Sequence, residues 1–185
     1  MSSKVISPFL IEASGRKHIQ QTHLARETHR AKSTINGYFN GIPTPIEAMA
    51  ELAAVINDSE LSQQLAHVNF GTLPNFSTAM YEESPLTMDI LQRKESNERK
   101  AMKDQAELAL TKLNHKLTEN DKSVLATYVN EFLDEILIEL KIVSLITRKL
   151  DISTNQLIKK RIPYWVQEDY LKKWKEGQII WQIIL

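Results

Sequence analysis

An all-α protein in two parts is what this sequence predicts, and three observations carry the prediction. Apolar residues recur at threes and fours through most of the 185 residues. Caps and stops punctuate residues 1–71 at short intervals, as Ser-Pro, Thr-Pro and Asn-Gly pairs. Residues 121–150 then carry the most apolar stripe in the chain, long enough for a single helix of about 45 Å.

Five short helices are expected in the first part. Ser7 followed by Pro8 reads as a cap and first helical position, with Phe9, Leu10 and Ala13 behind it and Gly15 as the stop. Gln20 to Thr28 is the second helix, with Leu24 and Ala25 inward, and Lys32 to Asn40 the third, closed by Gly41. Thr44-Pro45-Ile46-Glu47 reads as a capping box, and Ile46, Met49, Ala50, Ala53 and Ile56 keep helical spacing after it. A fifth helix from Ser59 holds Leu61, Leu65 and Val68 and ends at Gly71.

Residues 72–95, with Pro74, Pro85 and several polar residues, read as a linker. A helical part is expected from 96 to 185. Met102, Ala106, Leu110, Leu113 and Leu117 form one stripe, and Thr118 to Asp121 breaks and recaps the chain. In Asp121 to Leu150, Leu125, Val129, Phe132, Ile136, Leu140, Val143 and Ile146 recur at threes and fours. A face that broad has to pack on the preceding helix and on a second chain, which makes a homodimer the expected assembly.

Composition limits the chemistry. The apolar content of 42% with 25% charged residues is that of a globular chain, and there is no cysteine for disulfides, thiolate metal sites or a thiol nucleophile. No apolar run approaches the roughly 18 residues of a membrane helix, and no basic or apolar leader opens the chain, so a soluble cytoplasmic protein is expected. The net charge is zero but unevenly spread. Residues 1–40 hold 6 basic and 2 acidic residues (+4), residues 41–100 hold 4 and 9 (−5), residues 101–140 hold 4 and 8 (−4), and residues 141–185 hold 9 and 4 (+5). Two basic ends flank an acidic middle, a pattern that points to localised contact surfaces.

The stretch His23 to Gly41, HLARETHRAKSTINGYFNG, has helix-turn-helix spacing. Such a pair of helices needs a leucine and a small residue in the first helix and an apolar anchor eleven positions after the leucine; Leu24, Ala25 and Ile35 supply them. With Ile35 inward, Lys32, Ser33 and Asn36 turn outward on the face that a recognition helix presents to the major groove. On Ile19, Gln21, Leu24, Ala25, Ile35, Tyr38, Asn40 and Gly41, with Ala50 to Ala53 behind them, residues 5–70 resemble the lambda-repressor-like domains, the Cro and phage-repressor (XRE-type) family.

That resemblance implies double-stranded DNA as partner. Gln21 would hold a phosphate, Lys32, Ser33 and Asn36 would read bases, and Asn40 with Gly41 would contact backbone phosphate, with Thr34 and Gly37 completing the expected DNA-binding set. It also implies a repressor binding a palindromic operator as a dimer, of phage or mobile-element type, with a peptide or protein effector as a candidate partner. Two departures stand out. His29 and Arg30 occupy the turn where the family has glycine then valine or isoleucine, and histidine there has to accept a left-handed backbone. Gly37 weakens the third helix by about 1 kcal/mol relative to alanine, and close approach to DNA is one reason to keep it.

The same spacing recurs in residues 143–162. Ile146 and Leu157 lie eleven apart, Ser153 with Gln156 makes a capping box, and Asp151 stands at the turn. Thr154, Asn155, Lys159 and Lys160 would then be exposed as a second DNA-reading set. Tyr164, Trp165, Tyr170, Trp174, Trp181 and the terminal IIWQIIL read as core or dimer interface. No catalytic residue, cofactor or metal ligand set is expected. His23 and Glu27 lie at i and i+4 without a third ligand, and no phosphate loop, nucleophile elbow or dinucleotide fingerprint occurs. A protein-binding inhibitor or antirepressor on the same scaffold is the alternative.

Overall fold

Eight helices form in residues 3–171, which are the residues the computed structural model describes. They are α1 (Ser7–Lys17), α2 (Gln21–Glu27), α3 (Lys32–Phe39), α4 (Ile46–Ile56), α5 (Ser59–Phe70), α6 (Pro85–Leu110), α7 (Glu119–Lys149) and α8 (Thr154–Gln167). The protein is all-α, and among the described residues its β structure is a single bridge between Lys4 and Thr44. No helix among them is long and apolar enough to cross a membrane. Trp174, Trp181 and the terminal apolar run lie outside the described residues.

Several caps act as their sequence suggests. Asp58 accepts the Leu61 amide at 2.8 Å, and Gly71 ends α5 in the left-handed region at φ 68. Thr118 and Asp121 form a reciprocal capping box for α7, as Ser153 and Gln156 do for α8. Others differ. Ile6, buried, takes the position before α1 and Ser7 is its first residue, so Ser7 caps nothing. Gly15 lies inside α1, which runs on until His18 adopts φ 53. Thr44 makes no capping bond, because its backbone is committed to the Lys4 bridge and Pro45 takes the cap position. The expected linker is half helix: Ser84 caps α6 through the Thr87 amide at 3.2 Å, with Pro85 behind it, so the helix starts eleven residues before Ser96.

The helices α1–α5 bury Ile6, Leu10, Leu24, Ile35, Leu52, Ile56 and Leu61 in one core. Leu24→Ala is expected to cost about 2–5 kcal/mol in a denaturation midpoint series, since that side chain is fully enclosed. Helices α6 and α7 run antiparallel. Lys112 meets Asp121 at one end, and Met88 packs with Ile138 and Leu145 at the other. The side of α7 against α6 is therefore the one bearing Glu135, Ile138, Ile142 and Leu145. The stripe of Val129, Leu133, Ile136, Leu140 and Val143 stays 37–53% exposed. Leu110 and Leu113 are exposed as well, and Ala106 alone of their stripe is buried.

The two parts meet in a buried ionic cluster centred on Glu60 at the start of α5. Its carboxylate accepts from Lys141 at 3.1 Å, Ser144 at 3.4 Å and Asn75 at 3.1 Å, and also from Arg148. Lys141, only 1% exposed, is shared with Glu83 at 2.8 Å. Arg16 lies 2.7 Å from Asp58 and 3.6 Å from Glu60. Three acids face three bases, which lets ions leave water without an uncompensated charge.

Two caps make stability depend on acid. Burial pushes the Asp58 carboxyl up, but Arg16 and the Leu61 amide outweigh it and hold the group below its ordinary value. Lys112, with the Thr118 amide and hydroxyl, holds Asp121 at about 2 against an ordinary 3.8. A depressed carboxylate stabilises the fold fully above its unfolded value and ceases to do so as pH falls through its folded one. The melting temperature is expected to fall as pH drops from about 4 toward 2. Lys112→Met should flatten that slope; an unchanged slope contradicts the assignment.

Candidate nucleic-acid interface

The pair α2 and α3 is held by the trio the spacing picks out: Leu24 and Ile35 are 0% exposed and Ala25 6%. Between them the chain turns on His29 at φ 52, the left-handed conformation its position demands. The amides of His29 and Arg30 cap α2 by donating to the carbonyls of Arg26 and Ala25 at 3.3 and 3.0 Å. The Thr28 hydroxyl donates to the Leu24 carbonyl at 2.7 Å. Arg30 reaches Glu51 of α4 at 2.7 Å and ties the turn to the core.

This leaves one face of α3 in water. Lys32, Ser33 and Asn36 are exposed, Thr34 is half-buried, and Asn40 is exposed just beyond the helix. Gln21, half-buried, opens α2, whose first amides have no side-chain cap. Asn40 donates to the Asn36 carbonyl at 2.8 Å and to its side-chain oxygen at 3.1 Å, so the two act as one amide pair with free edges. The spacing did not disclose that link.

Gly37 is not part of the exposed face. It is buried, and a Cβ there would lie 2.7 Å from the end of the Ile42 side chain. Its small size makes room for the loop after α3, whose Ile42 amide donates to the Gly37 carbonyl at 2.9 Å. Gly37 therefore does not lie on the DNA-facing side expected for it, because it packs beneath Ile42.

The turn after α7 has the same hydrogen-bond register. Asp151 sits at φ 51, and the Ile152 amide donates to the Thr147 carbonyl at 3.1 Å. The turn between α1 and α2 repeats it at His18, with the Ile19 amide 3.0 Å from the Ser14 carbonyl. Turn geometry thus does not distinguish the three helix pairs; packing across the turn does. Ile146 and Leu157, the anchors expected for the second pair, are 44% and 37% exposed, so they lock nothing. Thr154 is also occupied, its amide and hydroxyl lying 2.9 and 3.0 Å from the Ser59 hydroxyl oxygen on α5. Asn155 lines the notch beside that contact, and Lys159 and Lys160 are exposed farther along α8. The expected second reading set is not borne by a locked helix pair: Ile146 and Leu157 are exposed, and the first residue of α8 is held by Ser59 at the start of α5.

Other chemistry is sparse. His23 and Glu27 lie 4.0 Å apart, with Arg26 bonded to both. Glu95, Glu98 and Glu131 bring carboxylate oxygens within 4.8 Å of one another, and Lys94 bridges the first two at 3.0 and 2.9 Å. An apolar groove of about 460 Å³ runs between α4 and α5, lined by Ile46, Met49, Ala53, Leu65, Ala66 and Phe70. No protein family, no curated protein and no solved structure matches the chain.

Proposed function

We propose that this chain is a sequence-specific double-stranded-DNA-binding regulator that acts as a dimer on a palindromic operator. The observation carrying the reading is the pairing of a fully buried anchor, Ile35, with an exposed polar face of Lys32, Ser33 and Asn36 on the same short helix. Such a helix offers a major groove an amide pair that suits adenine and a cation that suits guanine or phosphate. The +4 charge of residues 1–40 adds the electrostatic attraction that duplex binding needs. Repression by occluding a promoter, in the cytoplasm and with no cofactor, is the use proposed, in keeping with the phage-repressor resemblance of residues 5–70.

Salt provides the test. Affinity for duplex DNA, followed by fluorescence anisotropy, should fall steeply as ionic strength rises, each phosphate contact adding about 0.9 to the slope of log affinity on log salt. Absence of binding at low salt would defeat the proposal. A second reading, a protein-binding module such as an antirepressor, is favoured by the apolar groove between α4 and α5, which is shaped for a peptide side chain or helix. Ala53→Arg in that groove is expected to leave duplex affinity within twofold; its loss would move the function to the groove.

A further inference from the structure

We infer that the uncovered stripe of α7 binds a second copy of this chain in antiparallel orientation, with a two-fold axis beside Ile136. The inference rests on the dimeric reading above and supplies its surface. Val129, Leu133, Ile136, Leu140 and Val143 repeat at fours and threes on one side of α7, opposite the side that meets α6, and each remains 37–53% exposed. A contiguous apolar line of that length on a helix is an interface signature, and its spacing is that of a two-helix seam.

Charge decides the occupant and its direction. Residues 119–134 hold four acidic residues and one basic, a net of −3, whereas residues 148–161 hold five basic and one acidic, a net of +4. Antiparallel copies set each acidic end against a basic end; parallel copies would set like against like at both. Shape agrees. At the basic end Leu140 and Val143 open into a notch of about 230 Å³ with Ser59 and Ser62 of α5 and Thr154 and Asn155 of α8. At the acidic end Val129 and Leu133 stand out, 53% and 41% exposed. Val129 and Val143 lie seven residues either side of Ile136, so Val129 of one copy meets Val143 of the other, while Leu133 and Leu140, three and four residues from it, come alongside each other. The surface is thus self-complementary, as a two-fold interface must be.

The Glu60 cluster then gives the dimer its reach. Ser144 is bonded to Glu60 of α5 in each copy, and the two Ser144 positions lie about 24 Å apart along the paired helices at 1.5 Å per residue. Each α1–α5 unit is thereby tied to its own half of the helix pair.

The test uses the full chain, which has no cysteine of its own. Val129→Cys and Val143→Cys proteins, one carrying a size tag, are mixed and oxidised with copper phenanthroline without DNA. The mixed 129–143 disulfide is expected to exceed either self-linked product at least fivefold. Predominant 129–129 and 143–143 products overturn the orientation. Sedimentation of the unmodified chain should give a dimer, and Ile136→Glu a monomer of unchanged helix content. A monomeric parent overturns the inference, whether the stripe is bare or covered by residues 172–185 of the same chain. A dimer that binds no duplex leaves this interface standing and defeats only the DNA reading. A monomer that binds a half-site does the reverse.

Discussion

Alanine at both Lys32 and Asn36 is expected to remove operator recognition while leaving the fold intact. Each side chain is exposed on α3, and the buried contacts of that helix run through Ile35 and Tyr38 instead. Loss of a base-reading contact costs about 1–3 kcal/mol, so each substitution should weaken binding by about 5- to 150-fold. The pair should bring specific affinity down to the nonspecific level. Lys32→Ala alone should reduce the salt slope by about 1 if its partner is phosphate, whereas Asn36→Ala should relax sequence preference without moving the slope. Stability should change by no more than about 0.5 kcal/mol for either, as for ordinary surface positions. Gel-shift titration with melting curves on the same samples separates the effects, and unchanged footprints for the double variant would refute the role of α3.

The second large effect is structural. Glu60→Ala is expected to destabilise the chain by about 3–5 kcal/mol, because Lys141 and Arg148 would lose the carboxylate that both share in a buried site. Replacing Glu60 by leucine together with Lys141→Met should cost less than the sum of the single changes, since the fully buried cation leaves with its carboxylate and the partly exposed Arg148 and Glu83 can turn to water. The cluster also joins α5 to α7, so loosening it should alter the preferred spacing between half-sites more than affinity for an isolated one. A Glu60→Ala loss below about 1 kcal/mol in urea titration would show that the cluster is solvated and couples nothing.

Local signals were legible in the sequence, and long-range ones were not. The capping boxes at Thr118 and Ser153, the stop at Gly71 and the left-handed His29 all depend on residues within a few positions, and each forms as its neighbours dictate. Leu24, Ala25 and Ile35 were readable because their spacing follows from packing two helices across a short turn. Ser84-Pro85 carries the same signature as Ser7-Pro8, yet it caps its helix while Ser7 does not; the difference is tertiary, since burial of Ile6 moves the first helix back by one residue. Glu60 and Lys141 are 81 residues apart, and no local pattern links them. The second candidate motif failed for a related reason. Ile146 and Leu157 have the required spacing, but both stay exposed, and Ser59, far away in the sequence, takes up the Thr154 amide at the start of α8. Gly37 reads as a strange choice for a recognition helix until the Ile42 side chain is seen above it.

Selection from a pool of random duplexes tests the central claim most directly. Incubated with the full-length protein at low salt and sequenced after repeated capture, the pool should enrich inverted repeats whose half-sites lie about 10 base pairs, or a multiple of that, apart. The same selection with the Lys32→Ala, Asn36→Ala protein should enrich no common sequence. A pool that stays random with the unmodified protein, under conditions where it is folded and dimeric, would contradict the assignment of α3 as a reader of DNA.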